Sequence, residues 1–187
     1  VVDKLNQEWN HSKRLTLTAE GKLTAVFACT RYAEGIYPES QVNSDGIPTA
    51  YYLRTEQQLS NSAGRGNQWN FQLTRNIQLS NKYESIDNNK GGATYDGNGW
   101  KITGLKVPLF SNNGGILKNL YLENVDVIGG AALVGNSNGG KISDCTVTGK
   151  VTNTGDVAGL VYSGTSGTIE TSIVSATVVS TNGNASG

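Results

Sequence analysis

Residues 133–187 state one pattern twice. Leu133-Val-Gly-Asn-Ser-Asn-Gly-Gly-Lys-Ile-Ser-Asp-Cys-Thr-Val-Thr realigns on Leu160-Val-Tyr-Ser-Gly-Thr-Ser-Gly-Thr-Ile-Glu-Thr-Ser-Ile-Val-Ser after a shift of 27 residues. A third copy, Leu109-Phe-Ser-Asn-Asn-Gly-Gly-Ile-Leu-Lys-Asn-Leu-Tyr-Leu, follows the same outline at a slightly shorter spacing. A unit of this size cannot bury its own apolar face, so a fixed period of this length implies stacked units in a solenoid. The apolar positions fall in columns: Leu117, Ile142 and Ile169; Leu122, Val147 and Val174; Leu109, Leu133 and Leu160. The runs are short, rich in Val, Ile and Thr, and separated by Gly-Gly, Asn-Gly and Thr-Gly turn signals. These features predict an all-β fold, a right-handed parallel β-helix. A β-sandwich of similar hairpins needs no fixed period, and the period therefore favours the coil.

Upstream of the repeats the chain reads differently. Val2, Leu5 and Trp9 recur at helical spacing, and two alternating runs around Ala19-Glu-Gly predict a strand hairpin. Residues 1–40 are thus expected to be an N-terminal strand pair or the tail of a preceding domain, and residues 41–53 a linker. Residues 54–187 are expected to form the coil, with repeats at 109–132, 133–159 and 160–187. Thr55 is placed to cap a short helix from Glu56 that Gly64 and Gly66 end, a lid for the first rung. Phe71, Leu73, Ile77 and Leu79 are inward candidates, Arg75 and Asn76 mark a bend, and Asn81, Asn88 and Asn89 with Lys82 and Lys90 read as a polar loop. Asp96-Gly-Asn-Gly reads as a tight turn in which Asp96 caps backbone donors and Gly97 and Gly99 take positive φ. The later acidic positions of a calcium loop are missing. Ending on Gly183-Asn-Ala-Ser-Gly, where a fourth repeat would begin, the chain is expected to continue in the native protein.

The turn and column residues carry a family resemblance. Ala-Ala-Leu-Val-Gly at 131–135 and Ala-Gly-Leu-Val at 158–161, each followed by a Gly-containing turn, an Ile and a Val/Thr strand, resemble the GLUG repeat of bacterial surface proteins. Tyr95-Asp-Gly-Asn-Gly-Trp-Lys-Ile-Thr-Gly-Leu, Pro108-Leu-Phe and Ile116-Leu-Lys-Asn-Leu-Tyr-Leu-Glu-Asn-Val are similar to the segment preceding those repeats. The resemblance runs back to about Tyr51 and departs from the pattern at Tyr162, where the repeat usually has Gly. It implies an adhesin-like protein of Gram-negative gut bacteria, extracellular or at the outer-membrane surface, partnered by a host or bacterial surface glycan or protein. It implies no chemistry.

The residues themselves point the same way. Fifteen basic and fifteen acidic residues cancel, there is no basic run for nucleic acid, and no apolar run is long enough to span a membrane. One histidine, His11, and two distant cysteines, Cys29 and Cys145, give His-based catalysis and metal binding little to build on, and no catalytic, metal or cofactor residue is expected. Cys145 reads as a small buried thiol in a column with Leu120 and Ser172. A glycosidase needs two carboxylates at a set separation. Glu123 and Asp126 fall opposite Thr148 with Val151, and Ser175 with Val178, in the other copies, so no acidic ladder forms. Trp69, Trp100, Tyr121 and Tyr162 are the aromatics on which a sugar face could stack. The expected function is a noncatalytic adhesive or structural stalk module. The alternative is an accessory fragment of a polysaccharide lyase or hydrolase built on a β-helix.

Overall fold

The structure, a computed structural model, describes residues 11–17, 23–29, 39–42 and 48–187 apart from 65, 67, 68, 90 and 91, with side-chain surroundings from Thr49 on. The helical spacing over Val2, Leu5 and Trp9 and the Ala19-Glu-Gly turn lie outside the described residues. The hairpin strands are described: β1 (His11–Leu17) pairs antiparallel with β2 (Leu23–Cys29), Leu17 facing Leu23.

From β4 (Pro48–Leu53) onward the chain winds into a right-handed parallel β-helix of about five turns. One side stacks β4, β5 (Asn70–Leu73), β8 (Thr94–Asp96), β11 (Ile116–Lys118) and the end of β13 (Val134–Ser143). A second stacks β7 (Ile86–Asn88), β10 (Phe110–Asn113) and the start of β13, and β16 (Val161–Glu170) then lies along the whole of β13. The third is a separate sheet of β6 (Ile77–Gln78), β9 (Lys101–Thr103), β12 (Tyr121–Ile128), β14 (Thr146–Asn153) and β17 (Ile173–Ser180). Short β15 (Val157–Ala158) and β18 (Ala185–Ser186) pair at a corner.

The columns read from sequence are the observed register. Leu117 pairs with Ile142 and Ile142 with Ile169; Leu122 pairs with Val147 and Val147 with Val174. Leu109, Leu133 and Leu160 are buried along the next corner. Parallel strands with both neighbours present bury one side chain in two, which explains the alternation of buried and exposed residues along β12. Phe71, Leu73, Ile77 and Leu79 all point into the core. At the N-terminal end the column turns aromatic: Tyr51 over Phe71 at 5.8 Å between ring centroids, Phe71 over Tyr95 at 4.9 Å, Tyr95 edge-on to Phe110 at 4.9 Å.

The lid forms as its sequence predicts. Helix α1 (Glu56–Asn61) is capped by Thr55, whose hydroxyl accepts the Gln58 N–H at 3.2 Å, and Gly64 follows it at φ +72°. Leu59 is buried in the core, the Tyr95 hydroxyl from inside the coil donates to the Ser62 carbonyl at 3.1 Å, and the Glu56 carboxylate accepts the Ser80 N–H at 2.6 Å. These contacts fasten the lid to two later rungs. Residues 41–53 depart from the expected linker. Pro48–Leu53 is a strand parallel to β5, and β3 (Glu39–Val42) closes its outer edge antiparallel. Pro48 does not prevent this, because a proline opening a strand breaks no interior ladder bond.

Two further expectations are corrected. Asn88 does not belong to a polar loop: it is 1 % exposed, its amide bridging the chain at Ala93 through both N–H and C=O and donating to Asn113 Oδ1 at 2.9 Å. Asn113, fully buried, repeats the bridge one rung on, accepting the Gly115 N–H at 3.1 Å and donating to the Gly115 carbonyl at 3.3 Å. Each amide satisfies the backbone where a strand breaks at a corner, and amides one rung apart then bond each other. In the Asp96 turn the cap is as expected, Asp96 Oδ1 accepting the Asn98 N–H at 2.9 Å. Positive φ, however, falls on Asn98 and Gly99 and not on Gly97. Gly97 is needed for space, since a Cβ there would sit 2.0 Å from the Asn119 carbonyl oxygen.

Candidate binding surface

The outer face of the β9–β12–β14–β17 sheet is built by the residues that alternate with the buried columns. Register sets Tyr121 beside Thr146 and Thr146 beside Ile173, and sets Ile128 beside Thr152 and Thr152 beside Val179. These rows are about 4.8 Å apart from rung to rung, the spacing of paired strands. Ile128 is 76 % exposed and Ile173 60 %, well beyond the exposure of the columns behind them. Between the two apolar-edged rows runs a charged one, Asp126 beside Lys150 and then Thr177.

That charged row corrects the expected alignment of the acids. The register slips between Leu122 and Val125, where Asn124 takes φ +52°, so Asp126 faces Lys150 and not Val151. A β-bulge of this kind moves every later side chain by one place. Gly149 opposite it runs at φ +114°, with a Cβ excluded by the Val125 carbonyl oxygen at 2.3 Å.

Four carboxylates on the coil's outside are held by lysines from neighbouring rungs: Glu123 by Lys101 at 2.5 Å, Asp126 by Lys106 at 2.6 Å, Asp96 by Lys118 at 3.1 Å and Glu170 by Lys141 at 2.9 Å. The hydrogen bond from Lys106 holds the Asp126 carboxyl below its usual value, and the bond to Glu123 raises Lys101. For Asp96, burial pushes upward, but donors from Asn119, Asn98 and Lys118 outweigh it and the net shift is downward. For Asp96 and Asp126 the shift favours the ionised form, the opposite of the raised pKa that a general acid needs. Opposite charges about one period apart were the sequence signal for these pairs.

The four aromatic candidates are not brought together. Trp69 stacks on Tyr51 at 4.2 Å and 28° between ring planes, so it belongs to the aromatic end of the core. Tyr121 lies on the outer face with the Lys101 ammonium 5.1 Å from its ring centroid. Trp100 is 39 % exposed at the turn into β9, on the rung next to Tyr121. Tyr162, 47 % exposed on β16, stands over Gly130, where a Cβ would fall 2.4 Å from its ring. Sequence reasoning missed the exposed Ile128, Ile173 and Val179, whose outward direction depends on the register.

The Thr146 and Thr148 row does not extend as a threonine lattice, because Ile173 and Ser175 stand in the next rung. Among the described residues no three His, Cys, Asp or Glu side chains converge as metal ligands, and no helix is long and apolar enough to cross a membrane. Comparison with protein-family models, curated proteins and solved structures finds no match.

Cys145 is free, 1 % exposed, and burial raises its thiol to about 11. Its N–H donates to Ser172 Oγ at 3.2 Å and its thiol lies 3.3 Å from the Ser143 carbonyl. Because only the thiolate reacts, alkylation of Cys145 in the native protein at about pH 8 should run about a hundredfold slower than in the denatured chain. Peptide-level mass spectrometry after iodoacetamide pulses reads this directly, and native labelling at the denatured rate would contradict the burial.

Proposed function

We propose that this chain is a noncatalytic adhesive or stalk segment of a bacterial cell-surface protein, of the GLUG-repeat kind, which binds a surface glycan or protein along its outer sheet. The observation that supports this reading is the sheet's outer face, where flat rows of Thr, Ser and isolated Ile and Tyr repeat from rung to rung. A flat face with apolar edges, and hydroxyls and the Asp126–Lys150 charges between them, suits an extended ligand that makes many weak contacts, stacking on exposed rings and hydrogen-bonding between them. Weak sites in repeated rows gain strength by avidity when several engage one polymer. The ion pairs add to this picture, since a carboxylate clamped by lysine is poorly placed to move protons.

Glycan and host-protein arrays, run beside a polysaccharide-degradation screen on the same protein, test the reading. Binding is expected, with affinity reduced about tenfold by Ile128→Lys with Thr152→Lys, which puts two cations on the face, and without release of reducing ends. Release of reducing ends or unsaturated uronides, lost on Glu123→Gln or Asp126→Asn, would replace this reading by the catalytic one.

A further inference from the structure

Four asparagines of this chain stand directly before a glycine: Asn98, Asn113, Asn138 and Asn182. Such a step can close on itself. The glycine nitrogen loses its proton and attacks the asparagine Cγ, a C–N bond forms, the side-chain nitrogen leaves as ammonia, and a cyclic succinimide results. Water then opens the ring at either carbonyl, giving aspartate or isoaspartate. The closure needs a glycine nitrogen that no acceptor holds, a side-chain amide free to reach it, and solvent. Glycine favours it, since no Cβ restricts the turning of the backbone.

The fold withholds these conditions from three of the four steps. Asn113 is fully buried, its Oδ1 accepts from Asn88 and from the Gly115 N–H, and the Gly114 N–H donates to the Asn88 carbonyl at 3.0 Å. Asn138 is half-buried on β13, its Oδ1 pinned by the Thr165 hydroxyl of the next rung at 3.3 Å. After Asn182, the Gly183 N–H donates to Ser180 Oγ at 2.7 Å. The neighbouring Asp96-Gly97 step, which could close with loss of water, is locked as well. Its Gly97 N–H donates to the Lys118 carbonyl at 2.9 Å, and its carboxylate, held by Asn119 and Lys118, is a poor electrophile.

Asn98 is the exception. Asn98 and Gly99 are the centre of a turn closed by the Trp100 N–H on the Gly97 carbonyl at 2.9 Å, with φ at +50° and +78° as a type I′ turn requires. Both residues are exposed, and a Cβ built on Gly99 would meet nothing within 4 Å. Among the described residues the Gly99 N–H donates to no acceptor. The Asn98 side chain is held only by a long bond from Nδ2 to the Leu73 carbonyl, at 3.4 Å.

We infer that Asn98 is a site of spontaneous modification, at which the Gly99 nitrogen closes on the side-chain amide and water leaves aspartate or isoaspartate in its place. This goes beyond the binding function proposed above. Either product adds a negative charge beside Asp96, whose Oδ1 accepts the Asn98 N–H at 2.9 Å. Isoaspartate also lengthens the backbone of the turn that sets the exposed Trp100 at the entry to β9.

The test is prolonged incubation of the full chain at mildly alkaline pH, below its melting temperature, followed by tryptic mapping. Trypsin places the four steps in separate peptides, and electron-transfer fragmentation distinguishes isoaspartate from aspartate. In the folded chain the Asn98 peptide should convert at least about tenfold faster than the other three, because a locked N–H reacts only while its segment is open. In guanidinium the four rates should converge. Asn98→Gly takes positive φ without strain and should remove the acidic species that isoelectric focusing shows in the aged parent. Circular dichroism establishes that this variant keeps its β structure. If it does not, Asn98→Asp serves instead and should show no further acidic shift on ageing. Equal rates at the four steps of the folded chain, a faster step elsewhere, or an Asn98 that stays an amide while the unfolded chain converts would overturn the inference. So would an undiminished acidic shift in either variant, or aspartate formed without isoaspartate.

Discussion

Ile142→Asp should abolish the folded state, whereas Ile169→Asp, the next residue of the same column, should cost about 1 kcal/mol or less. Ile142 is fully buried between Leu117 and Ile169, but Ile169 itself is 57 % exposed, because the described chain stacks nothing above it. A carboxylate at 142 would lie in an apolar column with no cation or donor row beside it. Its neutralisation alone, a shift of three to five pKa units, corresponds to roughly 4–7 kcal/mol, and the lost isoleucine packing adds about 2–5 kcal/mol. Together these reach the whole stability of an ordinary domain, about 5–15 kcal/mol. The sign with pH also follows. Aspartate at 142 has a folded-state pKa raised above its unfolded value, so the native form binds the extra proton and the deficit shrinks as pH falls through the raised pKa toward about 4. Thermal and urea unfolding of the two variants across pH measures this. Equal losses in both would mean that the column is not continuous.

The second large effect is expected at Asn113→Ala. Removing this amide takes an acceptor from the Asn88 side chain and strands the Gly115 N–H in a buried corner, while the Gly115 carbonyl keeps the Lys141 N–H at 2.8 Å. Each buried polar group left unmade costs about 1–3 kcal/mol, so about 2–4 kcal/mol is the expected loss, since Asn88 keeps its bonds to Ala93. Asn112→Ala, at the half-buried neighbour, should change stability by about 0.5 kcal/mol or less. The midpoint of urea unfolding should move while its slope does not. Similar midpoints for the two variants would show that the amide ladder carries no stability of its own.

These two residues also mark what could and could not be read in advance. Ile142 was legible, because the last two copies keep a constant shift and their column residues fall over their counterparts, the register slipping only around Asn138. Asn113 was not, because the earlier turns of the coil differ in length: Phe71 stacks on Tyr95 and Tyr95 on Leu117, at unequal separations. A polar residue beside glycine then looks like a surface loop, and only stacking reveals that two such loops lie amide over amide inside the wall. The signal was present in Asn-Asn-Lys-Gly-Gly and Asn-Asn-Gly-Gly, each an amide shortly before paired glycines.

The outer surface divides the same way. Tyr121 and Tyr162 could be singled out as aromatics among polar residues, but the lysine over one ring and the glycine under the other come from different rungs. The slip after Leu122 moved Asp126 from a valine to a lysine partner, and nothing local to the Leu-Glu-Asn-Val stretch announces it.

By itself the sequence determined the period, the buried columns, the stacked coil and the capped helix that closes one end. Each of these rests on spacing along the chain: alternation within a strand, recurrence between copies, Thr55 three residues before the N–H it caps. Tertiary structure alone decided the asparagine ladder, the lysine–carboxylate pairs, the antiparallel β3 that guards the first rung, and the outward direction of Ile128, Ile173 and Val179. These depend on which residue arrives one strand spacing above another. Turn lengths and a single bulge set that register, and they are fixed only when the coil closes and buries its core.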